Sequence, residues 1–183
     1  MAIKFYQKFG VILSILLASA GVIRVQAQAN DPETRLAEMG ITLAEPAAPT
    51  ANFVLAVHTG NLVFLSGHGP MQENGEYMSG KVGEELDLTQ AAAAARLTGI
   101  SLLTSLKAQI GSLNRVKRIV KVLGMVNAVS DFTQHPQVMN GFSDFMVEVF
   151  GEKGKHARSA VGMGSLPFNI PVEIEMIVEL HEE

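Results

Sequence analysis

Residues 156–178, HARSAVGMGSLPFNIPVEIEMIV, decide the fold because they predict two β-strands around a turn that prolines mark. Arg158 stands at the start of the first strand, and Glu173 lies on the polar face of the second. A guanidinium is a planar fork that can bind a carboxylate through two parallel hydrogen bonds. A nearby glutamate can position or activate a water molecule. The pair indicates a site where a small carboxylic acid is hydrolysed, and a surface ion pair between Arg158 and a glutamate is the alternative.

The rest of the chain predicts an α+β domain in the order ββαβαββ, a mixed sheet with two helices on one face. In the last strand, alternation places apolar side chains under the helices and acidic ones on a face that is solvated or lines a cleft. The second strand is apolar on both faces, which predicts that it is covered on both sides. The predicted elements are a hairpin over 53–66, a helix from Asp87 or Thr89 to about Ile110, a strand over 118–127, a helix from Pro136 to about Phe150 and the two strands of 156–178.

The first 27 residues predict a signal peptide. Lys4 and Lys8 precede an apolar run over 11–23, and Val25-Gln26-Ala27 offers small residues for cleavage. The apolar run is about 13 residues, short of the ~20 that span a bilayer. We therefore expect export to a bacterial periplasm, cleavage near Ala27 and no membrane attachment afterwards. An uncleaved anchor is one alternative, and a misassigned start, which would make the protein cytoplasmic, is another.

The organisation that follows has three parts. Residues 1–27 are the signal peptide, 28–52 a short helix with an extended lead-in, and 53–181 the main domain. Asp31 and Pro32 give the short helix its start signal, and Gly40 gives its end signal.

Composition excludes several classes of function. The chain has no cysteine, so it has neither disulfides nor thiolate chemistry. Removing residues 1–27 leaves 11 basic and 18 acidic residues, a net charge of −7 that disfavours nucleic-acid binding. The one basic cluster, Arg115 to Lys121, alternates with β-branched residues and predicts a solvated strand entry. The histidines show no metal-ligand spacing, and no nucleotide-binding motif is present, so we expect neither a metal nor a cofactor.

Three motifs carry a resemblance to a known family: Arg-Ser-x-Val from Arg158, Leu166-Pro167, and Val-Glu-Ile-Glu from Val172. They are similar to the signature of the RidA/YjgF enamine/imine deaminases, formerly called L-PSP endoribonucleases, and the resemblance covers 53–180, in a larger-sized subgroup. It implies a chorismate-mutase-like fold and a homotrimer with ligand clefts between subunits. It also implies hydrolysis of small 2-imino or enamino acids to 2-keto acids and ammonium, without a cofactor.

The resemblance also implies roles for particular residues. Arg158 would clamp the substrate carboxylate, and Glu173 would orient water and handle protons. The substrate-binding residues that it implies are Ser66, Gly67, Asn140 and Ala160, together with Phe53 and His68 at two altered positions.

Those two positions depart from the family pattern. Phe53 stands where well-studied deaminases have a tyrosine, so a hydroxyl is missing, and His68 stands where many members have glutamine. A histidine could supply proton transfer or be purely structural. The alternative function is a non-catalytic periplasmic trimer that binds carboxylates or acts as a holdase. Ribonuclease activity is a third, weaker possibility.

Overall fold

The computed structural model describes residues 31–49 and 51–182. The predicted order ββαβαββ is confirmed, preceded by one short helix. The predicted signal peptide lies outside the described residues. The elements are α1 Pro32–Glu38, β1 Ala56–Thr59, β2 Leu62–His68, α2 Leu88–Ile110, β3 Val116–Asn127, α3 His135–Phe150, β4 Ala157–Met163 and β5 Val172–Leu180.

Local signals in the sequence set the helix ends. The Asp87 side chain accepts a hydrogen bond from the Gln90 backbone N–H, and the Gln90 side chain accepts one from the Asp87 N–H, which forms a capping box. Of the two predicted caps for α2, the structure therefore uses Asp87. The helix ends before Gly111, whose φ of 81° is left-handed. Asp31 caps α1 in the same way, through the backbone N–H groups of Glu33 and Thr34.

The five strands form one sheet in the order β1-β2-β5-β3-β4, in which only β3 and β4 pair in parallel. Helix α2 packs on β2 and β5, and α3 packs on α2, β3 and β4. The central strand β5 buries Val172, Ile174, Met176, Val178 and Leu180 under the helices, as predicted. Its other side chains lie on the opposite side of the sheet, which we call the open face. No helix of residues 31–49 and 51–182 is long and apolar enough to cross a membrane.

The prediction that β2 is covered on both sides is wrong for the single chain. Phe64 is 41% exposed on the open face, and its cross-strand neighbour Val57 is exposed as well. The helices can shield only one side of the sheet, and no second layer within the described residues covers the other. Ile177 continues the same apolar stripe across β5. The open face thus carries a stripe of exposed apolar side chains.

Helix α1 is tied to the C-terminal end of α2 by Glu33. Its carboxylate accepts hydrogen bonds from Lys107 Nζ at 2.6 Å, from Ser112 Oγ at 3.2 Å and from the Leu113 N–H at 3.2 Å. The Lys107 hydrogen bond is the main reason that the pKa of Glu33 is lowered. Helix α1 is therefore attached to the main domain.

Candidate active site

Glu173 projects from β5 onto the open face, where its carboxylate lies directly against Gly67 of β2. A Cβ at Gly67 would overlap Glu173 Oε1, so only glycine leaves room for the carboxylate. Burial raises the pKa of Glu173, and the charge of Glu175 on the same face raises it further. A partly buried carboxyl group with a raised pKa is suited to exchange protons with water.

An irregularity in β2 creates this contact. Leu65 pairs with Met176 and His68 pairs with Ile174, so an advance of three residues along β2 corresponds to only two along β5. One extra residue therefore bulges at Ser66–Gly67. The Ser66 hydroxyl donates a hydrogen bond of 2.6 Å to the Val54 carbonyl and holds the segment before β1 alongside. The Phe53 ring, next in that segment, is 50% exposed. The structure thus brings Gly67 into contact with Glu173 and places Ser66 beside it in the bulge.

Arg158 belongs to a second group, on the helix side of the sheet. Its position on β4 aligns with Val122 of β3, a core residue. Its Nη1 donates to Asn140 Oδ1 at 3.1 Å and to Ser143 Oγ at 2.9 Å, and its Nη2 donates to the Pro136 carbonyl at 3.3 Å. The alternative that Arg158 forms an ion pair with a nearby glutamate does not hold among the described residues.

Ala160 lies in the same β4 strand, aligned with Gly124, and packs partly buried against the core. Arg158, Asn140 and Ala160 therefore form one group. Two N–H groups of the guanidinium, on Nε and Nη2, have no partner among the described residues. Arg158 also lines a cleft of about 340 Å³ together with Lys155 and Asp144.

The two groups do not meet within one chain. Glu173 alternates with core residues of β5 and so points away from the helices, whereas Arg158 is bonded to α3. On β3, Arg158 aligns with Val122 and Glu173 aligns with Met125, so their positions are three residues apart along that strand. The sheet itself lies between the guanidinium and the carboxylate. Within one chain, the guanidinium and the carboxylate therefore do not share a site.

His68 lies inside the fold, 9% exposed, and not at the Glu173 surface. Its Nδ1 is 2.7 Å from the Ser66 carbonyl and its Nε2 is 2.7 Å from Ser105 Oγ. Because a carbonyl only accepts, Nδ1 carries the hydrogen and Nε2 accepts from the hydroxyl. Burial lowers the pKa of His68, which agrees with this neutral form. The bulge turns His68 toward the helices, and in this position it supports the Ser66–Gly67 backbone from beneath.

Sequence reasoning missed Ser105 beneath the bulge, and Ser143 and His156 beside Arg158. Asn140 and Ser143 are three residues apart on α3, so both reach the same side chain. That spacing could have indicated Ser143 once Asn140 was suspected. No comparable signal exists for Ser105, because its contact joins residues 37 apart in the chain. Among residues 31–49 and 51–182, no three His, Asp or Glu side chains converge as metal ligands.

Comparison with known proteins gives these two groups a context. Residues 33–180 match the family model described as "YjgF/chorismate mutase-like, putative endoribonuclease". The chain belongs to this family. The predicted chorismate-mutase-like fold is confirmed by that match and by the solved relatives.

Individual relatives of the YjgF family extend this comparison. Protein TCP17 of Trypanosoma cruzi is 42% identical over 147 residues, which cover 80% of this chain and 92% of the relative. The crystal structure of Atu1372 from Agrobacterium tumefaciens is 40% identical, covers 87% of this chain and 99% of its own, and superposes with a TM-score of 0.77. RidA from an Antarctic Psychrobacter is 29% identical, covers 76% of this chain and 96% of its own, and has a TM-score of 0.53.

Proposed function

We propose that this YjgF-family protein is an enamine/imine deaminase that hydrolyses small 2-imino acids to 2-keto acids and ammonium. The observation that carries the proposal is the Glu173 carboxyl group, seated against Gly67 with a raised pKa. Such a group can accept a proton from water and return it to a leaving nitrogen. The RidA name of one relative supports the same reaction class.

The proposed reaction needs no cofactor because an iminium carbon is already electrophilic. Arg158 holds the substrate carboxylate through its Nε–H and its second Nη2–H, since α3 occupies the other three N–H groups. Glu173 takes a proton from a water molecule as its oxygen bonds to the imine carbon, and the C=N electron pair moves to nitrogen. Glu173 then gives that proton to the nitrogen. As the C–N bond breaks, the electron pair of the hydroxyl oxygen forms the keto C=O, and the hydroxyl proton passes through Glu173 to the departing ammonia. The products are the keto acid and ammonium.

We further propose that the active unit is a homotrimer with its sites between subunits. The open face supplies an apolar surface at Val57 and Phe64, and the edge strand β4 adds Val161 and Met163. A neighbouring copy that covers these side chains would bring the Arg158 group of one subunit to the Glu173 group of the next. Heterologous contacts of this kind close into a ring when the rotation that relates neighbouring copies closes. The separation of the two groups by the sheet supports this arrangement.

The test is an imine-hydrolysis assay on the protein that starts at Gln28. An amino-acid oxidase generates a panel of 2-imino acids, and semicarbazide competes for them. We expect faster keto-acid release from wild-type protein and none above background from Arg158→Ala. If a folded oligomer accelerates none of the panel, the deaminase proposal fails.

A specific observation favours the second candidate, a trimer that binds carboxylates without turnover or acts as a holdase. Phe53 offers an exposed apolar ring where deaminases have a hydroxyl, so one proton donor is absent. This candidate predicts that Arg158→Ala abolishes carboxylate binding while Glu173→Gln changes nothing. A deaminase requires Glu173→Gln to lower kcat by about 10²-fold or more.

Binding of RNA is not part of the proposal. Lys117 and Arg118 are 2.7 and 2.9 Å from the carboxylate of Glu179, and Lys121 donates to Ser159. The basic cluster is therefore partly neutralised by the sheet itself. A gel-shift assay with single-stranded RNA at low salt, where electrostatic attraction is strongest, checks this point.

We also propose that the protein is exported to a periplasm, on the strength of the signal-peptide pattern in residues 1–27. Periplasmic recovery of a product that begins near Gln28 is the expected outcome of cell fractionation and N-terminal sequencing. Recovery of full-length protein in the cytoplasm would overturn it.

A further inference from the structure

The Ser143 hydroxyl lies between the Arg158 guanidinium and the His156 ring. Arg158 Nη1 is 2.9 Å from Ser143 Oγ, and Ser143 Oγ is 3.1 Å from His156 Nε2. The other ring nitrogen, Nδ1, is 2.7 Å from the carbonyl of Gly154. One continuous chain of hydrogen bonds thus runs from the guanidinium to the backbone of the turn after α3.

The chemistry of the four groups fixes the direction of every bond. A guanidinium can only donate, so Ser143 Oγ accepts from Arg158. The Gly154 carbonyl can only accept, so His156 Nδ1 carries a hydrogen. Burial lowers the pKa of His156, which favours the neutral ring, and in that ring Nε2 is an acceptor. The Ser143 O–H therefore points to His156 Nε2. Each hydrogen in the series has a single acceptor, so the Ser143 hydroxyl has one orientation.

The end of this series of hydrogen bonds at His156 and Gly154 is held rigidly. The Phe142 ring meets the His156 ring edge to face, with centroids 5.7 Å apart. A Cβ at Gly154 would overlap the Met146 carbonyl, so the turn packs directly on the backbone of α3. The Gly154 carbonyl therefore has a fixed position relative to α3, and it fixes the His156 ring in turn.

We propose that Ser143 and His156 are positioning residues for Arg158: they set the rotation of its guanidinium so that its remaining N–H groups face the substrate carboxylate. Asn140 and Pro136 alone fix only one N–H on each terminal nitrogen. Ser143 binds the second hydrogen of Nη1 and is the contact that connects Arg158 to the rigid turn. This inference rests on the proposed role of Arg158 in binding the carboxylate.

Two matched pairs of variants test the proposal, with 2-oxobutyrate as the probe so that turnover is not required. Ser143→Thr keeps the hydroxyl that Ser143→Ala removes. His156→Gln keeps a side-chain acceptor for Ser143, whereas His156→Phe keeps only the ring contact with Phe142. We expect Ser143→Ala and His156→Phe to raise the Kd about tenfold, the scale of one hydrogen bond to a charged group, and their partners to stay near wild type.

Two further readouts separate positioning from general damage. With an active imino-acid substrate, the same variants should raise KM with kcat within about twofold of wild type, because only substrate binding is affected. In ¹⁵N NMR spectra, the resolved guanidinium N–H signals of Arg158 should broaden or average in Ser143→Ala and remain in Ser143→Thr.

The outcomes distinguish failure of this inference from failure of the proposed function. If Arg158→Ala abolishes binding of 2-oxobutyrate while both Ser143→Ala and His156→Phe bind it as wild type does, the positioning role is wrong and the function stands. If Arg158→Ala binds as wild type does, both proposals fail. Because His156→Phe keeps the ring contact with Phe142 and leaves Ser143 in place, it provides a second test if Ser143→Ala does not fold.

Discussion

Mixing two inactive variants provides a direct test of the site between subunits. Arg158→Ala removes the carboxylate clamp and Glu173→Gln removes the proton carrier, so each pure trimer should be inactive. Because the sheet separates the two side chains within a chain, a site with both groups intact forms where a Glu173→Gln subunit supplies Arg158 and an Arg158→Ala subunit supplies Glu173. We therefore expect activity to return when the two proteins are unfolded and refolded together.

The size of the recovery follows from counting interfaces. In random equimolar trimers, each interface has one chance in two of an intact Arg158 and one in two of an intact Glu173, so about a quarter of the wild-type rate should return. A mixture of wild type with the Arg158→Ala/Glu173→Gln double variant is the matched control. It should give about a quarter for a shared site but about a half for a site within one chain.

The assay is keto-acid release from the most active 2-imino acid, after size-exclusion chromatography with light scattering confirms trimers. Tagged subunits confirm that mixed trimers have formed. No recovery from the two single variants, together with half the rate in the control mixture, would refute the reasoning from the sheet geometry.

Three further predictions follow from single side chains. Gly67→Ala should lower kcat by about tenfold or more, because its Cβ displaces the Glu173 carboxylate, and circular dichroism should show an intact fold. Glu173→Gln should unfold at a higher temperature than wild type at pH 7. Because folding raises the pKa of Glu173, the wild-type protein loses stability as the pH rises through that raised value and the carboxyl group ionises. The difference between the two proteins should therefore disappear at a pH below the ordinary carboxyl range. Glu33→Gln should lower the free energy of unfolding at pH 7 by about 1 kcal/mol in urea titrations; because the pKa of Glu33 is lowered, this deficit should shrink as the pH falls through that value, and a deficit independent of pH would contradict the role of its charge.

Much of the fold could be predicted because its signals are local. The alternation of β5 places every second residue in the core, and a period of two survives in any sheet that has one covered face. The caps at Asp31 and Asp87 work through residues two or three positions away. Such features need no knowledge of which strand pairs with which.

The candidate site could be predicted only in part. The Arg158 and Glu173 motifs are visible in the sequence, and the resemblance supplied Ser66, Gly67 and Asn140 as companions. The bulge at Ser66–Gly67, which turns His68 away from Glu173 toward Ser105, depends on the register between β2 and β5. The hydroxyl of Ser143 between Arg158 and His156 depends on how α3 packs beside β4.

The sequence by itself determined the elements, their order, the buried face of β5 and the residue types available for chemistry. The tertiary structure alone decided that Arg158 and Glu173 lie on opposite sides of one sheet. The physical reason is that the side of the sheet a residue faces depends on strand register and bulges, which are set by pairing between distant segments. Two residues fifteen apart can be motif neighbours in the chain and still have a layer of backbone between them.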